Sequence, residues 1–449
     1  MRYHPAAFML MVWSGCIFLY VALPFQLIDK SMSVVGFFAW ALFIFSFCLG
    51  TMLVPQPKGF VRFDYARVID FRKADRYLKI AAMIAVAACA MDLYDKALVD
   101  LSDAYNDRSN RAGALLRGEV SNSTVWFQIA FLTYPAGFVY LVRQIVFAHK
   151  IEFFKTLMFG LAPVVGAMLS MGGRAPLLYA ILVCIFAFKA RQVMRRDVVD
   201  LRPKSSLKRF FFWTSVVVGV SVAFYYFSAV FFVRAESAGG AEAMLTLAES
   251  VWGIGFRGAN SDLLFSLVGY EFAYLIFAFS WYLIQGFFMQ NFLFTDYDGP
   301  LQLGIYGVDL VSALMRRLDG ELVARNFNAL MDLGTYGFLP SAFGSLFVDF
   351  SFFGAFFCVI WGILAALVYQ KVRQNNDATW YLLAPFITMG ILFSLINTPI
   401  GFTNGLVTHL WLLLAFFLAR DVNAQMMKDQ VKFANFKKHQ SQQAANSSN

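Results

Sequence analysis

The sequence predicts an all-α polytopic membrane protein, and three observations lead there. Of its 449 residues, 59% are hydrophobic and only 14% are charged, where a soluble domain carries about a quarter charged residues. Apolar runs of about 20 residues, long enough to cross a hydrocarbon core at 1.5 Å per residue, recur from end to end. The basic residues collect in short connectors between these runs, where they set orientation. The formal net charge of +9 therefore gives no reason to expect a nucleic-acid partner.

Taken in order, residues 6–27, 32–54, 79–98, 125–147, 155–171, 175–190 and 209–232 read as crossings, and 341–369, 380–397 and 403–419 bring the total to about ten. The first run follows Met-Arg-Tyr-His and offers no small-x-small cleavage site, so it reads as a retained helix. Connector 55–78 carries Lys58, Arg62, Arg67, Arg72, Lys73 and Arg76. Connector 189–209 is equally basic, with Arg191, Arg195, Arg196, Lys204 and Lys208 among its charges. Lys371 and Arg373 mark a third, and the tail carries Arg420, Lys428, Lys432, Lys437 and Lys438. All four face the cytoplasm if the chain starts inside and crosses ten times, which puts both termini in the cytoplasm.

Residues 263–294, "LLFSLVGYEFAYLIFAFSWYLIQGFFMQNFLF", test that scheme because they are apolar enough to span. One crossing here would invert the basic connectors that follow. Parity is kept if the stretch is re-entrant, lies in the outer interface, or forms a broken pair of half-helices, buried in protein or beside a watery cavity. The expected organisation is N-terminal transmembrane helices over 1–232, a large periplasmic module over 233–340 with re-entrant or interfacial helices, C-terminal transmembrane helices over 341–420, and a cytoplasmic tail over 421–449.

Three of the segments expected outside hold arginine and no lysine; the nearest lysines are Lys30 in the first turn and Lys96 near the end of the third run. Residues 99–124 contain Arg108, Arg111 and Arg117, the turn "SMGGRAPLL" (170–178) contains Arg174, and the large module contains Arg234, Arg257, Arg316, Arg317 and Arg325. A guanidinium stays charged and presents a planar fork that matches two phosphate oxygens at once, whereas lysine supplies charge without geometry. Arginines lining an outer cavity suit a diphosphate held at headgroup level by a lipid tail. The competing reading pairs each arginine with a local acid among Glu236, Glu242, Glu249, Asp319 and Glu321. Arg174 has no acidic neighbour in sequence, and Gly172 and Gly173 let backbone N–H groups approach an anion.

Other chemistry is thinly represented. No Gly-rich loop precedes Lys-Ser/Thr, and the five cysteines all lie in apolar runs with no metal-ligand spacing. His409 in the last run reads as a core histidine. "TDYDG" (295–299) reads as a turn, being too short for a calcium loop. The sequon at 122–124 carries no weight. The expected chemistry thus uses no cofactor, nucleotide or metal. A sugar already activated on a lipid diphosphate brings its own leaving group, leaving the protein to stabilise charge, orient a hydroxyl and supply a base. Asp309, Glu321 and Asp332 are candidate carboxylates by position.

The segment "NFNALMDLGTYGFLPSAFGSLFVDFSFFGAFFCVIWGILAALVYQK" (326–371) resembles the late region of Wzy-type O-antigen polymerases, in which an Asn and a Thr/Tyr precede a helix with Asp and Gly. Here these are Asn326, Asn328, Thr335-Tyr336-Gly337, Asp349 and Gly354, with Ser351 where the family usually has its first glycine. "MGGRAPLL" and "FFVRAESAGG" (231–240) are similar to the family's arginine turn and to the opening of its largest loop. The resemblance implies a GT-C-like inner-membrane glycosyltransferase that joins undecaprenyl-diphosphate-linked oligosaccharide units on the periplasmic face, in contact with membrane lipid and with a chain-length regulator as a potential partner. On this reading Arg174 and Arg234 clamp the donor diphosphate, and Arg257 is a further substrate-binding arginine. Arg317 or Arg325 would stabilise the departing charge, with Asp332 as the catalytic carboxylate. Asn326, Asn328 and Tyr336 would contact sugar hydroxyls, and Asp349 would hold an arginine or cap a cavity. An O-antigen ligase and a lipid-linked oligosaccharide flippase are the rival readings. The large module lacks the ligase's histidine, and no internal repeat or buried ion cluster speaks for a flippase.

Overall fold

In the computed structural model, Ser33 begins the second helix by accepting hydrogen bonds from the N–H groups of Val35 and Gly36, and Thr124 caps the helix from Val125 in the same way. The structure describes residues 3–23, 25–27, 32–56, 69–96, 110, 113–114, 116–117, 119, 124–194, 214, 221, 224–233, 235–236, 238–256, 260–333, 339–374 and 377–421. The tail after 421, expected in the cytoplasm, and most of the two longest basic connectors lie outside the described residues.

The chain is mostly helical, and among the described residues eight helices are long and apolar enough to cross a membrane. Seven coincide with expected runs: α1 (Pro5–Ala22), α2 (Val34–Met52), α3 (Arg72–Asp95), the pair α4 (Val125–Thr133) and α5 (Ala136–Phe147), α6 (Phe153–Met171), α7 (Ala175–Met194), and the stretch Ser341–Gln374. Pro135 divides α4 from α5 because it has no N–H to continue the ladder. Of the expected run 209–232, the described part is the short helix α8 (Phe224–Val233), followed by α9 (Ala241–Trp252).

The eighth apolar helix is Phe265–Asp296, the main body of α10 (Asn260–Asp296), whose backbone departs from helical geometry inside only at Gly269. From there α10 is one continuous helix. Two short strand pairs mark the ends of the bundle. β1 (Phe25–Leu27) pairs antiparallel with β3 (Ile254–Phe256), and β2 (Ile69–Asp70) pairs with β4 (Arg420–Asp421). Along α10, the Tyr274 hydroxyl donates to Phe231 of α8, Phe277 meets Phe25 of β1, Leu283 accepts from Cys16 of α1, and Asn291 bonds to Ser33. Further along, Phe294 packs on Phe43 midway along α2 and on Phe347, and Gly286 lies against the Leu395 carbonyl, so α10 is packed against several elements of the bundle.

Beyond α10 come α11 (Asp309–Leu318) and α12 (Gly320–Asp332), then α13 (Ser341–Phe350) and α14 (Gly354–Gln374). α14 lies along α2, with Gly50 against the Val359 carbonyl and Gly362 against that of Phe47; close backbone approach is how helices associate where lipid removes the hydrophobic incentive. The last two expected crossings are short. α15 (Ala384–Phe393), entered by a 3-10 turn from Ala378, and α16 (Gly405–Leu418) each span under 18 residues. Between them the polar stretch 394–404 breaks helical geometry, with Thr403 and Asn404 at positive φ, and Trp13 of α1 donates to Ser394 within this turn region.

Near the β1 end, Asp92 of α3 is fully buried and accepts from Ser170, Thr124 and Lys96. One carboxylate thereby ties α3 to the start of α4 and the end of α6, and Thr124 also caps α4 through the Phe127 N–H. A buried charge this completely paired keeps those ends in register.

Candidate functional site

α11 and α12 form the amphipathic part of the large module. Asp309 opens α11 and Arg316 and Arg317 close it, each sign placed where the helix dipole favours it. Asp319 then caps α12 by accepting from the Leu322 N–H at 2.9 Å. α12 turns Val323, Asn326 and Leu330 inward, where they are buried, and leaves Glu321, Arg325, Asn328 and Asp332 exposed. Residues three and four apart share a helix face, so one side of α12 carries a cation, an amide and two carboxylates.

That face meets Leu116 and Arg117. Together they line a groove of about 550 Å³ formed by Leu116, Arg117, Glu321, Ala324, Arg325, Asn328, Ala329 and Asp332. The Asn328 amide donates to the Leu116 carbonyl at 3.2 Å, joining the two walls. Arg117 makes a two-pronged pair with Glu119 at 2.7 and 2.9 Å. Its hydrogen bonds hold the Glu119 carboxyl below its usual range. The groove therefore combines two guanidinium groups with two carboxylates and a neutral amide. Such a set can hold an anion, hydrogen-bond hydroxyls and accept a proton.

Of the residues expected at the site, Arg325, Asn328 and Asp332 come together here. Arg317 is exposed on α11 and does not line the groove, and Asn326 is buried on the opposite side of α12. Arg234, Arg257 and Tyr336 lie outside the described residues. Sequence reasoning places Arg117 among the outer arginines without making it a site residue. Its one signal is membership in the lysine-free segment 99–124.

Arg174 occupies a different place. It is 9% exposed, donates to the Phe227 carbonyl and the Tyr282 hydroxyl, and stacks 3.9 Å from the centre of the Phe231 ring. Its fork is engaged inside the bundle, joining the 172–174 turn to α8 and α10. Gly172 caps α6 in the left-handed conformation, so that glycine serves the helix end. Among the described residues Asp349 holds no arginine; it accepts from the N–H groups of Tyr306 and Gly307. His409 lies 2.7 Å from the Gly405 carbonyl of its own helix, as a core histidine does. Among the described residues, no three His, Cys, Asp or Glu side chains converge as a metal set. No family model, curated protein or solved structure matches the chain.

Proposed function

We propose that this protein is a bacterial inner-membrane glycosyltransferase of the oligosaccharide repeat-unit polymerase type, acting on undecaprenyl-diphosphate-linked units. One observation carries the reading: Arg117 and Arg325 share a groove with Asn328, Glu321 and Asp332. The groove is built partly from an amphipathic helix in a chain rich in membrane-length helices.

In this reading the two guanidinium forks grip the donor diphosphate. Asp332 or Glu321 takes the proton from an acceptor hydroxyl as its oxygen attacks the anomeric carbon. The anomeric C–O bond to the diphosphate breaks, its electron pair leaves with the diphosphate oxygen, and the arginines offset that charge. Asn328 orients a sugar hydroxyl. The chemistry needs no nucleotide or metal, because the donor is already activated. With the basic connectors in the cytoplasm, the β1 end and its groove face the periplasm, both termini are cytoplasmic, and α10 lies in the outer interface.

Gel analysis of surface polysaccharide from a deletion strain tests the reading. A single repeat unit per lipid supports a polymerase. Polymer made but not transferred would point to the ligase, and units not exported to the flippase. Either result, or unaltered long chains, overturns the proposal.

A further inference from the structure

Resting on the groove reading above, we infer that Asp349, deep in the fold and outside the groove, is the positioning residue that sets where the reactive face of α12 stands. Asp349 is 2% exposed at the end of α13. Its two carboxylate oxygens accept separately, Oδ1 from the Tyr306 N–H at 3.1 Å and Oδ2 from the Gly307 N–H at 2.9 Å. The backbone beside it adds two more bonds: the N–H of Gln302 donates to the Val348 carbonyl and that of Leu303 to the Asp349 carbonyl. Four hydrogen bonds thus fasten the 302–307 loop to the last turn of α13.

The loop does not take this shape unaided. Leu303 sits at φ 51, a left-handed conformation that costs a non-glycine residue about 1–2 kcal/mol. Gly307 has no room for a side chain, since a Cβ there would lie 2.6 Å from Asp349 Oδ2. The carboxylate and the loop are fitted to one another.

What the loop supports is α12. Gln302 donates from its amide to the Asn326 carbonyl at 3.1 Å. Ile305 and Val323 form the buried heart of a small apolar cluster. The Tyr306 and Phe327 rings lie 6.0 Å apart. Residues 323, 326 and 327 form the inward face of α12, and Glu321, Arg325, Asn328 and Asp332 lie on its groove face. A rigid helix carries displacement of one face to the other, so the seat under α12 fixes how far Arg325 stands from Arg117. Replacing the carboxylate leaves two buried N–H groups without acceptors, and the loop has to move to satisfy them.

The test uses the full-length chain in detergent, with Leu116→Cys and Asn328→Cys as an oxidative cross-link across the groove. Asp349→Ala is expected to lower cross-link yield about fivefold and to speed amide exchange at 304–307 about tenfold, with the remaining helices still protected. Asp349→Asn, which keeps one acceptor oxygen, should recover much of both. Gly307→Ala, which leaves the carboxylate intact and crowds it, serves if Asp349→Ala does not fold, and should lower the cross-link in the same way. Unchanged cross-linking and exchange in these variants overturn the inference, whatever the polymer does. A shifted cross-link with unchanged polymer length leaves the seat standing and removes the groove from the reaction.

Discussion

Asn328 on α12 donates its side-chain amide to the carbonyl of Leu116, a residue 212 positions earlier in the chain, at 3.2 Å. That bond makes one groove out of two segments, and it brings Arg325 and Arg117 to a common lining. If the groove holds a diphosphate, geometry should matter there as much as charge. Arg325→Ala is expected to reduce long-chain polymer at least about tenfold, equivalent to about 1.4 kcal/mol of transition-state stabilisation. Arg325→Lys keeps the charge and loses the fork, and should recover only part. The check is polysaccharide chain length on gels against membrane protein level. Full-length chains from Arg325→Ala at normal level would exclude it from the chemistry.

Arg174 predicts a different outcome, because its partners are internal. Removing a buried guanidinium that stacks on Phe231 and bonds to Phe227 and Tyr282 costs both stacking and charge-assisted hydrogen bonds, about 3 kcal/mol together. Arg174→Ala should therefore lower the unfolding temperature in detergent, and Tyr282→Phe should lower it by less, about 1 kcal/mol. An anion ligand on the groove face would show no such loss. Unaltered thermal stability with shortened polymer would return Arg174 to a direct role in substrate binding.

Much of the architecture can be read from hydropathy, because seven of the eight membrane-length helices follow uninterrupted apolar runs. The rest escapes the sequence for identifiable reasons. In α10 an apolar run reports only that neighbours are apolar, and it does not say whether they are lipid or the helices α1, α2 and α8. In 394–404, Asn397, Pro399, Thr403 and Asn404 stop α15 and delay α16, shortening two expected crossings. At the site, Arg325, Asn328 and Asp332 are close in sequence and fall on one side of α12. Arg117 joins them only through tertiary contact. Arg174 stands out in the sequence by its lack of acidic neighbours, but its partners are aromatic residues 53 and 108 positions away, a relation that no local pattern encodes.

Arg191 belongs by sequence to the orientation charges of its connector. In the fold it also closes a helix end. It is 3% exposed and donates to the carbonyls of Ile145, Ala148 and His149. These are acceptors at and just past the end of α5, where a helix leaves carbonyls unsatisfied. Arg191→Ala should cost about 2–4 kcal/mol of stability. Arg191→Lys preserves the topological charge but reaches fewer carbonyls, so it should insert normally and still be destabilised. A reporter fusion at the C-terminus reads insertion, and thermal unfolding in detergent reads the cap. If Arg191→Lys unfolds at the parent temperature, charge alone accounts for this residue.

The pair formed by Arg117 and Glu119 sets the last expectation. Its two bonds occupy the fork that a phosphate would take, so the carboxylate competes with the anion. Both side chains are more than half exposed, which makes the competition mild and sensitive to salt. Glu119→Gln removes the competitor's charge and should improve apparent affinity for inorganic diphosphate about two- to threefold at low ionic strength, with the gain shrinking as salt is added. The sign with pH follows from the depressed Glu119 carboxyl. The pair is complete above the ordinary carboxylate range and is lost only as pH falls through the lowered value. Across roughly pH 6 to 8 the gain should therefore be constant. Titration of the solubilised protein with diphosphate reads it directly, and equal affinity in parent and variant would mean that Arg117 does not meet the anion.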